Sequence, residues 1–545
     1  MPDVAKPQTA DTRGRLRPKL SRRWAVGGLA AAVCVALFVC YIRMSSTVAT
    51  NSDGAANALQ AWDMLHGNLL LRGWHLSDVA FYTTELPEYM LVELVHGLNS
   101  DVVHVAAALT YTLVLVLAAL LARGTASGRQ AAFRMLIAGG LMLSPQLGVG
   151  TQVLILSPDH VGTVAPVLAA WLVLDRCDRR WWVPALVGLL LAWALVADAI
   201  TLYIGVAPLL AVCVARGFRE IVIRRQPLSA SRFEFWLTVA ALVALVVGLK
   251  APAVINALGG YSIMPAPHTL APLSELPARL RITWQGLLLL FGADFVGMRA
   301  GLSFGLVLLH LVGVALAVWA VCRAVRRFWR EDEAGLVVQV LTVGTLLMVA
   351  AYLFGKQVPQ IGYSHEMAAA LPFASVLAGR LLVGRLSSPR LVPAGVAVLL
   401  VYVLTLGINA AQPAAGTAPP GNAQLISWLA ARHLRYGLSG YWQADALTLA
   451  SGNEVQIRTL AQPRGGTRLT ASGWETQDSW YDPRLHDANF ILLFSGQRGF
   501  TGQAGLSPFS PTAAINATFG QPAASYRLGA YTVLVWHRNL LRDLS

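Results

Sequence analysis

Eleven apolar runs are the feature that most constrains this chain. They lie at 25–42, 102–122, 135–152, 161–175, 182–197, 200–215, 235–254, 301–322, 335–354, 367–384 and 391–409. A helix needs about 20 apolar residues to cross a hydrocarbon layer of roughly 30 Å. Charged residues make up only 13% of the chain, against roughly 25% in soluble proteins. We therefore expect an α-helical polytopic membrane protein with about eleven transmembrane helices.

The basic residues alternate between the loops that join these runs. Of the 42 Lys and Arg residues, 25 lie in the segment before the first run and in every second loop after it. The other loops hold 7, and the remaining 10 follow residue 410. Because Lys and Arg collect on the cytoplasmic side, the pattern predicts a multi-pass plasma-membrane protein with a cytoplasmic N-terminus and an external C-terminal domain. It accounts for the net charge of +14 without a nucleic-acid partner.

The predicted organisation has four parts. A basic cytoplasmic tail at 1–24 precedes a transmembrane domain at 25–409, in which the external first loop at 43–101 is large. A linker rich in Ala and Pro at 410–422 leads to an external α/β domain at 423–545. The first apolar run is longer than a typical signal-peptide core. A retained membrane anchor is therefore favoured over a cleaved signal.

The C-terminal domain has the punctuation of a small α/β fold. Apolar spacing predicts a helix at 421–436 and strands at 455–460, 488–495 and 531–536. Its aromatic side chains either stack on sugar rings or form the core of the domain, and the core is the more frequent role of such residues. They are Tyr436, Tyr441, Trp442, Trp474, Trp480 and Tyr481.

The first external loop is locally acidic in a basic chain. Segment 43–101 holds seven acidic residues against two basic ones. Leu59, Trp62 and Met64 are spaced as in amphipathic helices, which we expect to lie on the membrane surface. A passive connector needs neither property, so this loop is where we look for function first.

Asp53 is the leading candidate for chemistry because it lies shortly beyond the first apolar run, beside Gly54. A carboxylate at this depth can accept a proton from a hydroxyl nucleophile or hold a divalent cation. The alternative is structural: Ser52 or Asp53 caps a helix that begins near residue 54. Arg72 can bind a phosphate through two parallel hydrogen bonds. The external Lys356 can bind one as a point charge, or contact lipid headgroups instead.

Further candidates stand in the first loop and in two other external segments. They are Asp78, Glu85, Asp159, His160, His365 and Glu366. For Asp78 and Glu85 the alternative is a solvated loop position or a helix cap, and for Asp159 and His160 it is a turn with a capped helix start. Asp198 lies between two apolar runs, so we expect it to face the bundle interior or the outer interface. A tight external hairpin is the alternative for this segment. No motif has the spacing of metal ligands. None of the five cysteines lies in a predicted external segment.

Four stretches carry a resemblance to a known class of membrane enzyme. They are GNLLLRGW (67–74), FYTTELPEY (81–89), HEMAAALPFASVLAGRLL (365–382) and RYGLSGYWQADALTLASGN (435–453). The order of parts, with an early Asp in a long first external loop, is similar to that of GT-C-type polytopic glycosyltransferases. That class includes protein O-mannosyltransferases and arabinosyl- and mannosyltransferases of the actinobacterial envelope. The four stretches resemble actinobacterial membrane proteins of this kind.

The resemblance implies a hexosyl- or pentosyltransferase that uses polyprenyl-phosphate sugars at the outer face of the bilayer. By position, Asp53 would be the catalytic acid of the first loop, with Arg72 and Lys356 on the donor phosphate. The acceptor would be an envelope glycan, lipid or protein. The Asp-Glu or Asp-x-Asp pair common in the class is absent here, since Gly54 and Ala55 follow Asp53. The sequence thus leaves the need for a divalent cation open.

Two other functions fit the same sequence. A transporter or flippase of lipid-linked precursors usually has ionisable residues near the bilayer midplane and inverted repeats, and neither is evident in this chain. A non-catalytic membrane protein of envelope assembly is the third hypothesis. Loss or survival of activity on replacing Asp53 distinguishes the enzyme from both.

Overall fold

The computed structural model describes residues 17–156, 159–265, 269–328, 335–355, 360–386, 392–415, 421–463, 466–495 and 511–544. The first elements are α1 (Arg17–Ser45), α2 (Ser52–Leu65), β1 (Trp74–Leu76), α3 (Glu85–His96), α4 (Asp101–Arg123), α5 (Gly128–Met142), α6 (Val149–Thr151), α7 (Val161–Arg176), α8 (Val183–Ala197) and α9 (Ala207–Phe218). There follow α10 (Arg232–Ala257), β2 (Ser262–Ile263), α11 (Leu276–Leu290), α12 (Leu302–Arg327), α13 (Leu336–Phe354), α14 (Ala370–Leu386) and α15 (Val392–Ala410). A 3₁₀ segment at Ile361–Met367 joins α13 to α14.

Six helices in the described ranges are long and apolar enough to cross a membrane: α1 from Trp24 onward, α4, α10, α12, α13 and α15. A helix pair, Val149–Leu156 and Val161–Arg176, makes a seventh span if it is counted as one, although the two halves are bent by 56°. α8 and the Ala370–Leu382 part of α14 are apolar but shorter. The chain is therefore a multi-pass membrane protein, whereas the count of about eleven spans stays a prediction.

Small residues let the helices approach one another closely. A Cβ atom built on Gly248 of α10 would lie 2.3 Å from Cγ of Leu195 on α8. Between membrane helices such contacts replace the hydrophobic driving force that operates in water. The bundle core, with Tyr111, Trp171 and Phe373 fully buried, extends across most of the helices.

The C-terminal domain is built on one mixed sheet. Its elements are α16 (Asn422–Ala431), β3 (Tyr436–Ser439), α17 (Tyr441–Ala450), β4 (Gln456–Ala461), β5 (Thr470–Ala471), β6 (Thr476–Gln477), β7 (Phe490–Phe494), α18 (Pro511–Phe519), β8 (Ala524–Leu528) and β9 (Tyr531–Val535). The strand order is β5-β4-β3-β7-β9-β8, with β3 parallel to both β4 and β7. The three strands predicted from sequence are β4, β7 and β9. The predicted helix ends earlier than expected, at Ala431.

Most of the aromatic side chains of this domain belong to its interior. Tyr436, Tyr441 and Trp480 are each less than 10% exposed, and Trp474 and Tyr481 are half-buried. Trp442 differs, because 51% of its surface is exposed. The core interpretation therefore holds for the buried rings.

A second, three-stranded sheet joins the C-terminal domain to the membrane domain. Its order is β2-β1-β6, so that strands from the first loop, from the segment after α10 and from the C-terminal domain lie side by side. Trp74 pairs with Gln477 in this sheet, and the Trp74 ring packs edge-on against Trp480 at 4.9 Å. We call the end of the helix bundle that contacts the C-terminal domain the domain end.

Helix α2 corrects one prediction. It does not lie along an outer surface of the protein, because most of its residues are buried between α3, α4 and α17. Ala55, Ala58 and Ala61 are fully buried and pack in one cluster with Tyr89 and Leu449. The prediction of a surface helix was based on the spacing of its large side chains. The close packing of α2 depends instead on its alanines.

Candidate active site

Asp53 lies in the first turn of α2, where a carboxylate is favoured by the helix dipole. The cap of this helix is Asn51, whose Oδ1 accepts a hydrogen bond from the Gly54 amide at 3.0 Å. Neither Ser52 nor Asp53 caps the helix, so the alternative prediction that one of them is the helix cap is wrong. The carboxylate of Asp53 is left for other contacts.

The C-terminal domain supplies the main partner of Asp53. The hydroxyl of Tyr441 donates a hydrogen bond to Asp53 Oδ1 at 2.5 Å, and Ser52 Oγ donates to the backbone carbonyl of Tyr441. Burial and then the nearby carboxylate of Asp159 raise the pKa of Asp53 to about 7, while the Tyr441 hydrogen bond acts in the opposite direction. Asp53 is thus ready to exchange a proton near neutral pH.

The segment before α7 brings a second carboxylate to Asp53. Asp159 Oδ1 accepts a hydrogen bond at 2.9 Å from the side-chain amide of Asn57, which lies one turn after Asp53 on α2. The next residue, His160, adopts a left-handed backbone conformation with φ of 60°. This conformation is uncommon for residues other than glycine, and it turns the chain abruptly into α7.

His160 forms a buried ion pair with Asp198. Its Nδ1 donates to Asp198 Oδ2 at 2.7 Å, and the side chains are 12% and 1% exposed. Burial disfavours the charged imidazole, but Asp198 and the more distant Glu366 and Asp159 prevail and raise the pKa of His160 to about 10. Asp198 faces the protein interior at the end of α8, as the sequence predicted.

His365 lies beside this pair. Its ring stacks on the ring of His160, with centroids 5.1 Å apart and planes 15° from parallel. Burial and then the charge of His160 lower the pKa of His365 to about 3. The two histidines therefore differ in charge: His160 is protonated and His365 is neutral.

Two further predicted acids interact with the same group. Burial raises the pKa of Asp78, with His160 acting against it and Asp198 adding to it. The phenol of Tyr363 lies among Asp53, Glu366 and Asp78, whose charges add to burial in raising its pKa. Carboxylates from the first loop and from the 3₁₀ segment before α14 therefore meet at the domain end.

Glu85 has a structural position within this group. Its Oε1 accepts hydrogen bonds from the backbone amide of Thr163 at 3.0 Å and from the Thr163 hydroxyl. The carboxyl group thus occupies the N-terminus of α7, where amide groups lack helical partners. A Cβ atom on Gly162 would come within 2.7 Å of Glu85 Oε1. The cap interpretation therefore fits Glu85 better than a chemical role.

The two predicted phosphate-binding residues lie elsewhere. Arg72 is exposed in the turn before β1, and its backbone contacts Asn68 and Gln477. Among the described residues, none forms an ion pair with Arg72. Lys356 falls outside the described residues. Both assignments stay predictions.

The sequence did not single out the residues by which the C-terminal domain reaches the site. Besides Tyr441, Glu475 is buried and accepts hydrogen bonds from the side chain of Gln60 at 2.5 Å and from the Ser77 amide at 2.9 Å. Burial raises the pKa of Glu475 to about 7. No spacing signal links residues about 400 positions apart.

The chain is similar in fold to a membrane protein of known structure. An oligosaccharyltransferase from Archaeoglobus fulgidus, crystallised in complex with Zn and sulfate, is similar with a TM-score of 0.50. The likeness covers 89% of this chain and 70% of that chain, at 12% sequence identity. The fold is GT-C-like. No protein-family model and no curated protein matches the sequence.

The donor set around Asp53 is incomplete for a metal ion. Asp53 and Asp159 interact electrostatically, but within the described ranges no three His, Cys, Asp or Glu side chains are grouped closely enough to bind one. Nδ1 of His160 is bound to Asp198. We therefore assign no metal ligand and derive no chemical step through a cation.

Proposed function

We propose that this protein is a GT-C-type membrane glycosyltransferase that transfers a sugar from a polyprenyl-phosphate donor to a hydroxyl of an envelope glycan, lipid or protein. The convergence on Asp53 carries the proposal: α2, the segment before α7, the 3₁₀ segment at 361–367 and the C-terminal domain all contribute polar groups there. The GT-C-like fold supports it.

Asp53 is the general base in this proposal. The acceptor hydroxyl oxygen attacks the anomeric carbon as its proton passes to the Asp53 carboxylate. The bond between the anomeric carbon and the phosphate oxygen breaks, and its electron pair leaves with polyprenyl phosphate. Tyr441 donates to Oδ1, whereas among the described residues Oδ2 receives one contact, at 3.4 Å from Asn51. Oδ2 is therefore the oxygen suited to take the proton.

The protonation state of Asp53 supports this role. A general base is most effective when its pKa lies near the working pH, and the pKa of Asp53 is about 7. A single displacement of this kind inverts the anomeric configuration. The proposal keeps Arg72 and Lys356 as predicted donor-phosphate residues and expects the domain end on the outer face, with the N-terminus in the cytoplasm.

The test uses the purified full chain in proteoliposomes. Radiolabelled polyprenyl-phosphate hexoses and pentoses are supplied with cell-envelope extract, and label transfer is compared among wild type, Asp53→Asn and Asp101→Asn. Asp101 is an exposed acid of the same loop, so its variant controls for loss of external charge. We expect transfer by wild type and Asp101→Asn, and transfer at least about 100-fold slower by Asp53→Asn. No transfer with any donor, or equal transfer by all three proteins, overturns the proposal.

A further inference from the structure

A phosphate-bearing donor requires positive charge, yet the candidate site is rich in acids. Of the two predicted phosphate-binding residues, Arg72 is exposed, and Lys356 falls outside the described residues. The group of side chains described above contains one imidazole whose surroundings favour a positive charge, His160. This residue stands between the acids of the first loop and the 3₁₀ segment before α14.

The charge of His160 is built in by fixed neighbours. Asp198 Oδ2 accepts the Nδ1 proton at 2.7 Å, and its other oxygen accepts the Ile200 amide at 2.9 Å. Asp198 is therefore held in place at the end of α8 and cannot turn away. The titratable groups that face His160 from the packed elements are Asp78, Asp159, Asp198, His365 and Glu366.

The orientation of the ring leaves one donor for a ligand. Since Nδ1 is bound to Asp198, the Nε2 proton points from the opposite edge of the ring, and no described residue accepts it. His365 covers one face of the ring, and the Phe81 ring, 5.5 Å away, approaches in a T-shaped arrangement. A charged N–H group in a partly buried setting binds phosphate oxygens strongly.

We infer that the imidazolium of His160 binds the phosphate of the lipid-linked donor through Nε2, an inference that rests on the proposed function. The imidazolium and the Asp198 carboxylate are neutral together, so the ion pair offers the phosphodiester of a polyprenyl-phosphate sugar a fixed, charge-assisted N–H donor at Nε2. As the anomeric carbon–oxygen bond breaks, the departing phosphate gains a second negative charge. A cation that is already in place stabilises that charge without reorganisation.

Part of the acidic group carries little charge near neutral pH. Burial raises the pKa values of Asp53, Asp78 and Glu85, so these groups carry less negative charge near neutral pH than exposed acids do. The negative charges that remain beside His160 are the ones that hold its proton, chiefly that of Asp198. His365, which is neutral, adds no charge.

The experiment measures binding of methyl farnesyl phosphate, a phosphodiester with one negative charge at both pH values, to the full chain in neutral-lipid nanodiscs at pH 6 and pH 8. We expect His160→Gln to weaken binding at least tenfold at both pH values. Asp198→Asn leaves the imidazole but removes its partner, so binding should weaken at pH 8 and recover at pH 6. A control at the exposed His433, His433→Gln, should bind as tightly as wild type at each pH value. A protonated histidine predicts this pH split, whereas a purely structural role does not.

Other outcomes separate this inference from the proposed function. Sugar transfer by wild type together with normal methyl farnesyl phosphate binding by His160→Gln overturns the role of His160 alone. Binding that depends on His160 in a protein that transfers no sugar overturns the glycosyltransferase proposal and leaves the phosphate site. If His160→Gln does not fold, the pH dependence of Asp198→Asn decides. One further outcome would make His160 a metal ligand and overturn the inference. In it, wild type binds the phosphodiester only when Mn²⁺ is added, and His160→Gln no longer binds Mn²⁺.

Discussion

Replacing Tyr441 by Phe tests whether the C-terminal domain sets the basicity of Asp53. The substitution removes the hydroxyl that donates to Asp53 Oδ1 at 2.5 Å and leaves the ring in place. A hydrogen bond to a charged group contributes about 1.5–3 kcal/mol, and one pKa unit corresponds to about 1.4 kcal/mol. Because the hydrogen bond lowers the pKa of Asp53, its loss should raise that pKa by about one to two units.

The assay is the pH profile of kcat/KM for sugar transfer, which reports groups of the free enzyme. Wild type should lose activity as the pH falls through about 7, because Asp53 becomes protonated. In Tyr441→Phe this limb should move up by about one to two units, with activity recovering at alkaline pH. Trp442→Phe, at the exposed neighbour, should leave the limb in place. A uniform loss of activity with an unmoved limb would refute the reasoning.

Three stability predictions follow from buried contacts. Gly162→Ala places a Cβ atom against the Glu85 carboxyl group and should destabilise the protein by about 1–3 kcal/mol. Its melting temperature should be lower than that of Gly217→Ala, where a Cβ atom meets no atom within 4 Å. Equal melting temperatures of the two variants would contradict this prediction. Asp445 is buried with both oxygens unpartnered among described residues, and burial raises its pKa to about 8. In the folded protein Asp445 thus retains a proton that it loses near pH 4 in the unfolded chain. Its contribution to the free energy of unfolding therefore falls as the pH rises from about 4 to 8. Asp445→Asn should raise the melting temperature at pH 8 more than at pH 5. Glu475→Ala leaves buried donors without an acceptor, so protease should separate the C-terminal domain faster than in Glu475→Gln; equal cleavage would exclude this role.

The helical membrane domain was predictable in part, because a helix must be long and apolar to cross the hydrocarbon layer. Long apolar runs predicted helices wherever the structure has α1, α4, α10, α12, α13 and α15. Alternation and Gly or Pro punctuation located β4, β7 and β9. The environment of α2 could not be predicted, because its burial depends on contacts with α17, almost 400 residues away.

The candidate site was predictable in part for a similar reason. Where charge is scarce, polar residues beyond the ends of apolar runs stand out, and Asp53, Asp159 and His160 were found in this way. The structure brings them together with Asp198 and His365. Pairings between distant segments leave no local pattern, so the contacts of Tyr441 and Glu475 could not be predicted. Glu85 was a site candidate in sequence, but its contact with α7 favours a cap.

The most direct test of the central claim is the rate of sugar transfer by Asp53→Asn, measured with donor binding on the same preparation. General-base catalysis contributes typically 10²–10⁴-fold. We predict a loss of that size in kcat, with methyl farnesyl phosphate bound as tightly as by wild type. Transfer by Asp53→Asn at the wild-type rate would contradict the assignment of Asp53 as the base.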